Sequence, residues 1–186
     1  MKIAVLGANG QLGSDVCAAF QSNGDEVVGL THADIELSSA ESVHSALGAA
    51  NPGFIVNTAA MHHVDKCQAD PAAALQANAI GARNVADWAR HASVPVAYIS
   101  TDYVFDGKKS APYIESDAAN PLNAYGISKL AGEHFTLTTA DKPFVVRVSA
   151  IYGHHPCRAK GGLNFVELML KLSREREELR VVDEEF

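Results

Sequence analysis

Tyr125 and Lys129 stand four positions apart in "PLNAYGISKLAGEH", residues 121–134, a stretch otherwise patterned as an amphipathic helix. On a helix this spacing puts a phenol and an amine on one face, about 6 Å apart along the axis. A free phenol titrates near 10, too high for ready proton exchange at neutral pH. A nearby ammonium favours the phenolate, which would make Tyr125 a usable general acid or base. The face carries few bulky apolar groups, as expected of a surface that borders a small-molecule ligand instead of core.

Two more groups belong to the same chemistry. "YISTDYVFDG" places Ser100 and Thr101 at the carboxyl end of a strand, where open parallel sheets carry their ligand sites. A hydroxyl there can hydrogen-bond a carbonyl oxygen while the tyrosine delivers a proton, the two tasks that hydride transfer to a carbonyl requires. "GANGQLG" supplies Gly7, Gly10 and Gly13 between a strand and a helix. Glycines there let backbone turn tightly and approach a pyrophosphate, and the helix start offers free N–H groups. The strand after it ends in Leu30-Thr31-His32, without the acid that binds a ribose 2′-hydroxyl. Thr31 or His32 could donate to a 2′-phosphate, so the sequence leans towards NADP(H) and leaves NAD(H) open.

The elements that must position these residues alternate along the chain. Strands are expected at 2–7, 26–30, 54–60, 94–100 and 144–149, each buried on both faces, and helices at 11–22, 39–49, 70–92 and 123–139. Asp70-Pro71 gives an N-cap and first-turn proline. The pattern predicts a doubly wound α/β fold of the Rossmann type with a mostly parallel sheet. Past Gly153 "HHPCRAKGG" reads as loop, "LNFVELMLKLSRERE" as helix and "LRVVD" as the beginning of a strand.

Bulk properties exclude several functions. The 186 residues carry 15 basic and 22 acidic side chains, a net charge of −7 that argues against a nucleic-acid or anionic-membrane partner. No apolar run approaches the ~20 residues of a membrane span. Cys17, Cys67 and Cys157 cannot all pair, which fits a reducing, cytoplasmic setting. His62, His63, His154, His155 and Cys157 match no zinc spacing, so no metal is expected. Cys67 lacks an evident base partner. Arg147 could reach a substrate phosphate or anchor the sheet.

With these pieces in place the chain resembles the dTDP-4-dehydrorhamnose reductase family of the extended short-chain dehydrogenase/reductases. The likeness lies in "GANGQLG", "IVNTAAMHHVDKCQADP", "STDYVFDG", "NPLNAYGISKLAGE" and "NFVELMLKL". It implies a catalytic set of Thr101, Tyr125 and Lys129, with Lys129 also holding the cofactor ribose. It implies cofactor contacts from Gly7, Gly10, Gln11, Leu12, Gly13, Thr31, His32, Glu36, Leu37, Ala59, Ala60, Met61, His62, Tyr125 and Lys129. Substrate contacts would come from Thr101, Asp102 and Ala150, and Asn78 would bond main chain at the active-site helix. The implied reaction is reduction of the 4-keto group of a dTDP-linked deoxyhexose; a homodimer is left open.

Rival readings remain. Dehydratases carry glutamate after Thr-Asp, where this chain has Tyr103. Epimerases share the Thr-Tyr-Lys set, and the regulatory beta subunit of methionine adenosyltransferase is a cofactor-binding relative without reductase chemistry. Ala150 replaces a tryptophan usual in the family. The resemblance also implies a C-terminal substrate lobe, so residues 1–186 read as the NAD(P)-binding domain, with about 154–186 leading to a lobe that is incomplete. Poor turnover by the chain alone is the expectation.

Overall fold

The computed structural model describes residues 1–153, 155 and 162–179. The expected strand at "LRVVD" and most of the "HHPCRAKGG" loop lie outside them.

Five parallel strands form one sheet in the order β2-β1-β3-β4-β5. They are β1 (Lys2–Leu6), β2 (Glu26–Leu30), β3 (Phe54–Asn57), β4 (Val96–Thr101) and β5 (Pro143–Val148). The order reverses between β1 and β3, the switch point where sheets of this kind open a crevice at their carboxyl ends. Ala4, Leu6, Ile55 and Val96 turn to one face, under Val43 and Leu47 of α2 (Ala40–Ala50) and Val85, Trp88 and Ala89 of α5 (Gly81–His91). Ile3, Val5 and Val56 turn to the other, against Val16, Cys17 and Phe20 of α1 (Gln11–Ser22). This alternation is the period of two expected of strands covered by helices.

The caps explain the helix boundaries. Ser39 accepts from Ser42 N, Asp70 from Ala73 N and Asn123 from Gly126 N, each a short polar side chain satisfying an orphan amide. Asn164 and Glu167 form a reciprocal capping box at the start of α7 (Phe165–Glu175).

Two expectations need correction. The strands are not all covered on both faces: at the edge strand β5, Phe144 and Val146 are exposed. An edge strand has one neighbour to share covering helices with. The helix expected at 70–92 is also less regular. A short α3 (Val64–Ala69) precedes it, and α4 (Pro71–Leu75) runs through a π-helical turn, Gln76–Ile80, into α5. Such a turn holds one residue more than an α-helical one and is common at functional positions.

Candidate active site

The glycine turn is built from backbone. Gly7 adopts φ +78°, which favours glycine, and its amide donates to Leu30 O at 2.9 Å, tying the turn to the end of β2. A Cβ on Gly13 would lie 2.2 Å from Gly7 O, so the start of α1 presses directly on the turn. Thr58 Oγ1 donates to Leu6 O at 2.7 Å and fixes the end of β3 beside it. Gly10 is the N-cap of α1 and provides no side-chain cap, nor does the first turn carry an acid. The amides of Gln11 and Leu12 therefore begin a helix whose positive end is open to an anion, which suits a pyrophosphate.

The end of β2 leads into a local turn. The Thr31 amide and hydroxyl both donate to Asp34 Oδ2 at 2.8 Å, and Ala33 N donates to the Thr31 hydroxyl. Thr31 is thus committed to a local turn instead of being a ready donor. Its hydrogen bonds hold the Asp34 carboxyl below the usual range. Glu36 accepts from the Ser38 hydroxyl and amide, which lower its pKa, with a smaller contribution from His32 beside it. Leu37 is core: it is buried, and its carbonyl accepts from Asn84 Nδ2 at 2.9 Å.

Thr101, Tyr125 and Asp102 meet at the carboxyl end of β4. The Thr101 hydroxyl donates to Asp102 Oδ1 at 3.0 Å and accepts from Tyr103 N at 3.2 Å. Asp102 also receives the Ser149 hydroxyl at 2.5 Å, linking β4 to the chain just past β5. Tyr125, on α6 (Ala124–Thr139), crosses the Tyr103 ring edge-on at 5.7 Å between centroids. Burial raises the Tyr125 pKa; the Thr101 hydroxyl, which favours the phenolate, offsets this in part, and Asp102, Cys67 and Tyr103 oppose it.

Lys129 points from α6 towards β4. Its Nζ donates to Ile99 O at 2.6 Å and lies 4.0 Å from the centroid of the Tyr98 ring. Burial pushes its pKa down to about 7, against an upward pull from Glu133. The phenol and the amine share a helix, yet their pKa values are set by burial and by different neighbours. Glu133, itself buried, is held by Arg147 through bonds of 2.9 and 2.6 Å. Arg147 therefore ties β5 to α6, which answers the alternative left open for it.

The small residues of α6 also have another cause than a bordering ligand. A Cβ on Gly126 would come within 2.2 Å of Tyr103 O, and one on Gly132 within 2.4 Å of both Asn78 O and the Tyr98 hydroxyl. These glycines allow close packing on protein. Asn78, on the π-helical turn, is the hub of that contact. Its Oδ1 accepts from Met61 N, its Nδ2 donates to Met61 O and Ser128 Oγ, and its carbonyl accepts from the Tyr98 hydroxyl. Ser128 in turn donates to Tyr125 O at 2.7 Å. The segment Ala59, Ala60, Met61 and His62 is thereby fixed beside the Tyr125 helix, with His62 exposed and stacked on His63.

The structure brings Thr101, Asp102 and Tyr125 together, with Lys129 one helical turn on. It puts Gly7, Gly10, Gln11, Leu12 and Gly13 at the same sheet end. Ala150 is exposed at φ +41°, immediately after Ser149. Cys67 is buried, burial raises its pKa, and its thiol contacts Met61 O at 3.2 Å, so it packs instead of reacting. Sequence reasoning missed Tyr98, Glu133 and Asp34. Tyr98 could have been found from strand periodicity, being two residues before Ser100 on one face. Among the described residues no three His, Cys, Asp or Glu side chains group as metal ligands, and no helix is long and apolar enough to cross a membrane.

The fold and this site define a Rossmann-type α/β domain with Thr101, Tyr125 and Lys129 at the carboxyl end of a parallel sheet. The chain belongs to the family described as the RmlD substrate binding domain, whose model matches residues 1–186. It is 39% identical to the spore coat polysaccharide biosynthesis protein SpsK of Bacillus subtilis, over 100% of this chain and 63% of that protein. It is 38% identical to a dTDP-4-dehydrorhamnose reductase of Burkholderia thailandensis, over 100% of this chain and 60% of the relative. A dTDP-4-dehydrorhamnose reductase of Clostridium acetobutylicum superposes with a TM-score of 0.90 at 37% identity, covering 98% of this chain and 62% of that one. The Bacillus anthracis enzyme, solved in complex with NADP, gives 0.88 at 35% identity, covering 96% and 61%. The chain thus spans 60 to 63% of the length of these curated relatives.

Proposed function

We propose that this chain is the cofactor-holding and proton-donating part of an NAD(P)H-dependent reductase acting on a dTDP-linked 4-keto deoxyhexose. The observation that carries the reading is the meeting of Thr101, Asp102 and the half-buried Tyr125 at the carboxyl end of β4, the sheet end where the glycine turn lies. A nicotinamide cofactor, when bound, supplies the hydride. Gly7, Gly10 and Gly13 would cradle its diphosphate on the open amino end of α1. Thr101 would hydrogen-bond the keto oxygen, and Tyr125 would give its proton to that oxygen as negative charge develops. Lys129 would hold the ribose hydroxyls, which requires its Nζ to exchange or share the Ile99 carbonyl.

NADP(H) is the favoured cofactor, supported by the Bacillus anthracis relative. Calorimetric titration with NADPH and NADH, each repeated with dTDP present, tests the proposal. Expected is saturable binding of NADPH, tighter than NADH; binding of neither removes the reading. Cofactor binding combined with no oxidation of NADPH by a 4-keto sugar nucleotide, in a protein of the relatives' full length, would favour a binding module instead.

A further inference from the structure

Lys129 is buried with few partners of its own. Its Nζ makes a 2.6 Å bond to Ile99 O and sits 4.0 Å from the centre of the Tyr98 ring, well inside the range of a cation–π contact. Tyr98 is 1% exposed and two-sided in function: the ring meets the ammonium while the hydroxyl donates to Asn78 O at 3.0 Å. Glycine at 132 is what lets α6 come down on this tyrosine, since a Cβ there would lie 2.4 Å from the hydroxyl oxygen.

We propose that Tyr98 is a positioning residue for Lys129, its ring face holding the ammonium against β4 while its hydroxyl anchors the π-helical turn that carries Asn78. One strand residue thereby fixes both the amine and the turn that orients Met61 and Ser128. The charged and titratable groups around Lys129 are Glu133 one turn on and Tyr98 on β4, with Arg147 of β5 behind Glu133 and Tyr125 one turn back. Burial keeps the Tyr98 phenol neutral well above its ordinary range, so at neutral pH it acts on Lys129 as a ring and not as a charge. Its bearing on catalysis rests on the role proposed above for Lys129.

The test is made on the 186-residue chain by incorporating phenylalanine and then progressively fluorinated phenylalanines at position 98. Fluorination weakens the negative face of the ring with little change of shape. The readout is the titration of the Lys129 ε-carbon signal by ¹³C NMR, assigned by its loss in Lys129→Arg. Expected is a midpoint within a few tenths of a unit of the parent in Tyr98→Phe, then a stepwise fall of about one unit across the fluorinated series. A midpoint that ignores fluorination overturns the proposal. So does a fall already complete in Tyr98→Phe, which would assign the effect to the hydroxyl. The readout needs neither cofactor nor turnover, so failure of the cofactor titration removes the reductase reading without touching this one.

Discussion

Tyr125 and Lys129 are a pair in sequence but two separate electrostatic problems in space. Burial raises the Tyr125 pKa, so the phenol enters any reaction as an acid that holds its proton. In a protein of the relatives' full length, Tyr125→Phe should lower turnover of a 4-keto sugar nucleotide by at least about a hundredfold, with cofactor affinity nearly unchanged; steady-state NADPH oxidation and titration check the two halves. Lys129 gives a pH signature. Its folded pKa of about 7 lies below the ordinary lysine range, so between these values the unfolded chain binds more protons than the folded one. Its contribution to stability therefore improves as pH rises from about 7 towards 10.5, and is least favourable below 7, where both states are protonated. Lys129→Met should remove that dependence: urea unfolding at pH 6 and pH 9 should favour the variant over the parent more at the lower pH. The four-residue spacing announced the pair. It could not announce the Tyr98 ring or the Ile99 carbonyl, which come from β4, some thirty residues earlier.

At the scale of elements, α6 is held by a charge on one side and by missing methyl groups on the other. Arg147→Ala would leave Glu133 buried without its partner and should cost about 3 kcal/mol in urea unfolding, because an uncompensated charge stays in the interior. Gly132→Ala drives a methyl into Asn78 O and the Tyr98 hydroxyl and should cost about 2 kcal/mol by the same measurement. The alternation of strands and helices was legible because buried parallel strands are runs of apolar residues and helices repeat differently. The π-helical turn was not. "QANAI" reads as continuous helix, and its extra residue is chosen by the bonds Asn78 makes to Met61, Ser128 and Tyr98, all remote in sequence. The exposed side of β5 was equally hidden, since Phe144 and Val146 look like any core residues until the strand order is known. The turn at Thr31 was hidden for a related reason: Asp34, three residues on, takes both its amide and its hydroxyl.

For the molecule as a whole, a ligand bound only by the folded state must raise its stability. At a hundred times its dissociation constant, NADPH should add about 2.7 kcal/mol, read as an upward shift of the thermal midpoint. Gly13→Val, which sets a branched side chain against Gly7 O, should abolish that shift. Strand order has a further consequence. Every residue of β2, β1 and β3 comes from positions 2–57, and every residue of β4 and β5 from 96–148, so a single seam between β3 and β4 divides the sheet into two consecutive lengths of polypeptide. Synthesis releases the earlier length first, so the strands that carry the glycine turn emerge ahead of those that place the phenol and the amine. A polypeptide ending at that seam would hold every residue of the glycine turn and neither the phenol nor the amine.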